Sequence, residues 1–148
     1  ASHECTCSPS EIKRYTKKIS GPLLDRIDIH IQVPRVEYKD LAEPVPAESS
    51  AVIRARVEAA RGLQTERLAK YKIFSNAQMH HAQLKKLCPL SAAAQTLLKQ
   101  VFEKLSLSAR SYDRVIKVAR TIADLEQENT INDRHIAEAI QYRRLAHA

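Results

Sequence analysis

Ser108-Ala109-Arg110-Ser111-Tyr112-Asp113-Arg114-Val115-Ile116-Lys117-Val118-Ala119-Arg120-Thr121-Ile122-Ala123-Asp124 decides the fold class. Tyr112, Val115, Ile116, Ala119, Ile122 and Ala123 recur at helical spacing, while Arg110, Arg114, Lys117, Thr121 and Asp124 fall on the opposite side. One face packs and the other is free to bind. Working outward, the next helix begins after Asn132, with Ile131 and Ile136 as a hydrophobic staple and Asp133 in the first turn, and runs to about Arg144. On the N-terminal side the same reading predicts a helix from Ser49 to about Tyr71 with an Ile53, Val57, Ala60, Leu68, Tyr71 stripe. It also predicts a shorter helix near 76–87 capped by Asn76, and one from about Ser91 to Leu105 carrying Leu97, Leu98, Val101 and Phe102.

The first third of the chain reads differently. Residues 8–19 predict a short basic helix capped by Ser8 or Ser10. Ile27, Ile29, Ile31 and Val33 then alternate with Asp28, His30 and Gln32 until Pro34, which is the pattern of a half-buried strand. A lone strand cannot bury its edges, so this one is expected to add to a sheet that most of the chain does not supply. Pro34, Pro44 and Pro46 bracket an acidic segment that sustains neither ladder nor helix. The domain reading is therefore 1–34, a core remnant; 35–48, a linker; and 49–148, a helical domain. The fold class is mainly α.

Composition agrees and narrows the function. The 148 residues are 44% hydrophobic, with two glycines and no tryptophan, a balance that favours helices. A formal charge of +7 favours an anionic partner such as nucleic acid or a nucleotide phosphate. No apolar run is long enough to span a bilayer, and a cytoplasmic location is the expectation. Three cysteines form no disulfide framework. Cys5 and Cys7, beside His3, supply too few ligands for a closed zinc site, and Cys88 before Pro89 reads as a small apolar residue in a turn. His80-His81 reads as a solvated helix face. With glycines only at positions 21 and 62, no phosphate-cradling loop can be assembled, so this stretch cannot bind and hydrolyse a nucleotide alone.

A cation at the mouth of the predicted strand, Arg26 within Ser20-Gly21-Pro22-Leu23-Leu24-Asp25-Arg26-Ile27-Asp28, is well placed to reach a phosphate, for which the guanidinium fork suits better than lysine's point charge. Together with Cys5-Thr6-Cys7, Tyr15, Ile53-Arg54-Ala55-Arg56-Val57, Ala60-Arg61, Gln64, Asn76-Ala77, Leu107-Ser108-Ala109-Arg110 and Ala119-Arg120-Thr121-Ile122-Ala123-Asp124-Leu125, this run resembles the C-terminal part of magnesium-chelatase-like AAA+ ATPases. The narrower resemblance is to the competence-associated ComM type, ring-shaped DNA branch-migration helicases.

The resemblance implies a helical AAA+ lid of four to five helices, preceded by a remnant of the α/β core with a short helix and one strand. It implies that Arg26 is an arginine finger reaching a neighbouring subunit's nucleotide, and that Arg110 is the sensor-2 contact, with Arg114 and Arg120 as weaker candidates. An arginine in a helix's first turn has the wrong charge for the dipole, which gives Arg110 a reason to serve a phosphate instead. ATP and magnesium, a hexameric ring and DNA are implied for the intact protein. Zinc is implied there too, with Cys5 and Cys7 as half its ligands and no metal expected in this stretch. Two other readings stand beside this one: a stand-alone basic helical DNA-binding module, and a motor subunit for porphyrin metal insertion. The acidic connection at Glu126 and Glu128 argues against a helix-turn-helix.

Overall fold

A computed structural model of the chain describes residues 6–34, 36, 38, 42, 47–104 and 107–143. Seven α-helices lie among them: α1 (Pro9–Thr16), α2 (Gly21–Leu24), α3 (Ser50–Leu68), α4 (His81–Leu87), α5 (Ala92–Lys104), α6 (Ala109–Leu125) and α7 (Asp133–Gln141). Short 3-10 turns at Ala69–Tyr71 and Asn76–Gln78 join α3 to α4.

Helix α6 is the spine. It packs against α3 and α4 on one side and α7 on the other, while α5 packs on α7. Leu68, Leu84, Leu98, Val115, Ile116, Ala119, Ala123, Ile131, Ile136 and Ala139 form one continuous core. The sequence sets the helix ends. Ser108 caps α6 by accepting the Ser111 N–H, and Asn132 caps α7 by accepting the His135 N–H, so orphan amides at both starts are satisfied. Ile131 and Ile136 are both fully buried, as the staple requires. The α6 C-terminus closes as a Schellman turn: the Gln127 N–H bonds the Asp124 carbonyl and the Glu128 N–H bonds the Ala123 carbonyl at 2.8 Å. Gln127 takes the left-handed conformation, φ 59°, that glycine normally fills there.

Two connections are buckled together. Leu90 and Ile131 form an isolated parallel bridge, with the Ile131 N–H on the Pro89 carbonyl and the Ser91 N–H on the Ile131 carbonyl, both at 2.9 Å. The chain reversal between α4 and α5 is thus tied to the one between α6 and α7.

Four expectations change. The strand over 27–33 does not form: these residues make no ladder, with a bend at Asp28, and the apolar side of the alternation, Ile27, Ile29, Ile31 and Val33, stands 43–82% exposed. The described residues include no neighbouring strand to pair with it. Helix α3 buries only Ala60, Gln64 and Leu68, while Ile53 and Val57 in its first half remain exposed. Asn76 is no helix cap, because His80 precedes α4 and Asn76 is buried beneath α6. Asp124, on the polar side by spacing, is completely buried. The Leu105 position, the end of the last helix at Arg144, Cys5 and most of the linker lie outside the described residues.

Candidate functional site

A cleft of about 450 Å³ opens where the Arg26 run crosses the first half of α6, lined by Arg26, Asp28, Ala77, Arg110, Asp113, Arg114 and Lys117. Arg110, Arg114 and Lys117 share one side of α6 by helical spacing, and α2 with its turn delivers Arg26 to them. Ser20 caps α2 through the Leu23 N–H, and Pro22 in the first turn presets the backbone, so the approach to Arg26 is locally determined.

The charges in the cleft are not equivalent. Arg114 pairs with Asp28 and donates to the Arg26 carbonyl at 2.6 Å, so its guanidinium is committed within the chain. Asp113 is held by His81 Nδ1 at 2.7 Å. Lys117 donates to the Ala77 carbonyl at 2.9 Å and keeps two ammonium protons. Arg26 donates one bond, to the Pro22 carbonyl at 3.0 Å. Arg110 is exposed and makes no side-chain hydrogen bond or ion pair within the described residues. Asp28 is compensated by Arg114 and Asp113 is engaged by the His81 ring, and with Arg26, Arg110, Arg114 and Lys117 facing these two carboxylates the cleft is net positive around a space open to solvent. Such a cleft takes an anion with several acceptor oxygens.

Arg120 does something else. It is 1% exposed and faces the core, with Nε on Asp124 at 3.1 Å, one terminal nitrogen on the Asn129 carbonyl at 2.6 Å and the other on the Glu128 carbonyl. Arg67 of α3 pairs with the same Asp124, which also accepts from Asn76 at 2.8 Å. Burial pushes the Arg120 guanidinium below its ordinary pKa, and Asp124 opposes that shift. The expectation that Arg120 serves a bound cofactor is corrected: a fully enclosed guanidinium cannot reach a ligand. The Asn76-Ala77 and Arg120-to-Asp124 motifs are two sides of one buried polar cluster.

Glu126, Glu128 and His135 bring three potential metal-ligand atoms within 4.8 Å of one another. They do not suit a cation. Arg134 bridges both carboxylates, and His135 Nδ1 accepts the Asn132 N–H at 3.1 Å, which leaves the ring proton on Nε2 toward Glu126. Cys7, the other half of the expected zinc pair, is exposed near α1.

Residues 47–143 match the family model described as magnesium chelatase, subunit ChlI C-terminal. The chain belongs to this magnesium-chelatase family. Residues 1–41 match the model for magnesium chelatase, subunit ChlI. Among curated proteins this magnesium-chelatase-like chain is 39% identical over 137 residues to competence protein ComM of Haemophilus influenzae, covering 92% of the chain and 26% of that protein. It is 38% identical to the uncharacterized protein YifB of Escherichia coli, covering 93% of the chain and 26% of the relative. YifB of Salmonella typhimurium is 36% identical over 138 residues, with the same coverage. The chain thus spans about a quarter of the length of these relatives. No helix among the described residues is long and apolar enough to cross a membrane.

Reading the sequence missed Lys117 as a cleft residue, although it lies three positions after Arg114 on the same face. It also missed Ser111, Asp113 and Arg143, whose partners come from distant segments that no spacing rule connects.

Proposed function

We propose that this chain is the helical lid and finger segment of a magnesium-chelatase-like AAA+ motor, and that its cleft supplies the cations for ATP bound by another subunit. The observation that carries this reading is the meeting of Arg26 and Arg110 at one cleft whose own carboxylates are already paired. Arg26, exposed on a short rigid turn, acts as the finger. It donates to γ-phosphate oxygens and offsets the charge that builds on them during transfer, an effect on the order of 10³ to 10⁵ in rate for such arginines. Arg110 is the sensor-2 cation on the same phosphate chain, and Lys117 adds a point charge beside it. With the two carboxylates of the cleft engaged, magnesium is held with ATP by the opposing subunit.

In the intact protein this motor is a homo-oligomeric, hexameric ring that moves along branched or single-stranded DNA, the activity implied by the ComM-type resemblance. A stand-alone helix-turn-helix is disfavoured, because the α6–α7 connection carries Glu126 and Glu128 clamped by Arg134 where a phosphate backbone would have to approach. A motor for porphyrin metal insertion has the same nucleotide geometry and differs in its client. The decisive experiment mixes Arg26→Ala subunits of the intact protein with subunits defective in their own phosphate-binding loop. ATPase activity above that of either variant alone is expected. Absence of rescue would remove Arg26 from the neighbour's site.

A further inference from the structure

The run that carries Arg26 is not free to choose its own position. Asp25 and Asp28 flank Arg26, and both carboxylates are held by the helical domain. Asp25 Oδ1 accepts from Ser111 Oγ at 2.6 Å and from an Arg143 terminal nitrogen at 3.0 Å. The other terminal nitrogen of Arg143 donates to the Ile27 carbonyl at 3.2 Å. Asp28 is paired with Arg114, which also holds the Arg26 carbonyl. The His30 N–H bonds the Tyr142 carbonyl at 2.7 Å, and the His30 ring returns to the Leu24 carbonyl at 3.2 Å.

Every one of these bonds avoids the Arg26 side chain. They grip its own carbonyl and the residues on either side, and leave the guanidinium, which lines the cleft, with only its bond to the Pro22 carbonyl. The grip is also asymmetric: the Arg143 side chain is 3% exposed, against 31% for Asp25, so the anchor is buried on the helical side and presents a fixed fork to the run. Ser111 adjoins Arg110 in the first turn of α6, so the residue that clasps Asp25 is next to the second cation of the cleft.

We infer that Arg143 and Arg114 are positioning residues that latch the Arg26 run to the lid, so that Arg26 and Arg110 move as one unit when the lid rotates. This rests on the reading of Arg26 as a finger, and it adds a route by which the lid's orientation decides whether the finger is in place. A run held only by its own α2 turn would keep its position while the lid moved.

Two readouts on the intact protein separate the latch from that reading. The first is hydrogen exchange at the amides of residues 23–30. Arg143→Met, and independently Arg114→Asp, are expected to speed it by ~10-fold or more, the scale of one or two lost charge-assisted hydrogen bonds. The second is ATPase kinetics, where both variants are expected to lower kcat with KM for ATP within about twofold, since the finger acts on the transition state. Because Arg143 is buried, the half-exposed pair provides the control: Asp28→Arg combined with Arg114→Asp rebuilds the ion pair but not the bond to the Arg26 carbonyl, and is expected to restore exchange protection and kcat in part, above the level of Arg114→Asp alone. Unchanged exchange in both single variants overturns the latch. Faster exchange with unchanged kcat, while Arg26→Ala is inactive, also overturns it. If Arg26→Ala leaves kcat unchanged, the finger reading fails, and exchange alone still decides whether the run is latched.

Discussion

The two ends of α6 both join arginine to aspartate, with opposite meanings. At the C-terminal end, Asp124 is enclosed and shared by Arg67, Arg120 and Asn76. At the N-terminal end, Asp28 meets Arg114 in an open cleft that Arg26 and Arg110 also line, while Asp25, next to Arg26, meets the buried Arg143. The first arrangement fixes how α3, α6 and the Asn76 turn pack. The second fixes where two cations stand. An arginine's residue type and helical position do not separate these uses. The direction its guanidinium faces does.

Four experiments break or sharpen that contrast, beginning with the largest expected effect. Replacing Asp124 by Ala leaves the buried Arg120 guanidinium and the partly buried one of Arg67 without their carboxylate, and should cost about 3–5 kcal/mol of unfolding free energy in a denaturant titration. A loss under about 1 kcal/mol would mean the cluster is hydrated and not part of the core. Next is a pH effect beside the same cluster. Burial pushes the Cys88 thiol up from 9.0 to about 11, with Arg120 and Arg67 partly offsetting it. The folded state therefore holds the thiol proton more tightly, so stability is complete below pH 9. Relative to Cys88→Ala, it should fall between pH 9.0 and about 11 at up to about 1.4 kcal/mol per unit. A difference that does not change with pH would contradict the enclosure of Cys88.

The third experiment targets the turn that feeds the Glu128 and Asn129 carbonyls to Arg120. Gln127→Gly relieves a left-handed φ of 59° and should stabilise the fold by about 1 kcal/mol, read as a raised Tm. A loss would show that the Gln127 side chain contributes more than its backbone costs. The smallest stability effect belongs to the open end. Arg110→Ala should change stability by under about 0.5 kcal/mol, since its side chain holds nothing within the described residues, yet lower ATPase activity of the intact protein. A variant that is markedly unstable would move Arg110 into the structural class with Arg120.

Most of the helical part was legible because its signals are local. The stripe from Tyr112 to Ala123 and the caps Ser108 and Asn132 need only helical period and cap chemistry, and α6 and α7 begin at those caps. The site was half legible. Arg110 stands out as a cation set against the helix dipole and Arg26 as a cation at the mouth of the predicted strand, and both line one cleft. Asp124 was not legible, because a carboxylate on the polar side of a helix looks solvated until Arg67, from a different helix, covers it. Arg120 was misread for the same reason. Arg143 lies far along the chain from Asp25, so only the folded chain brings them together. The run at 27–33 shows the converse: its alternation is a property of the sequence, while a strand is a property of a pair.

The bridge between Leu90 and Ile131 has a mechanical consequence. Two hairpin-like helix pairs joined only through side chains could shear past each other, dissipating any push applied at one end. With Pro89, Ser91 and Ile131 fastened through their backbones, that shear is opposed where the two chain reversals meet. A displacement of either chain reversal is therefore passed to the other through the backbone, without waiting on side-chain packing.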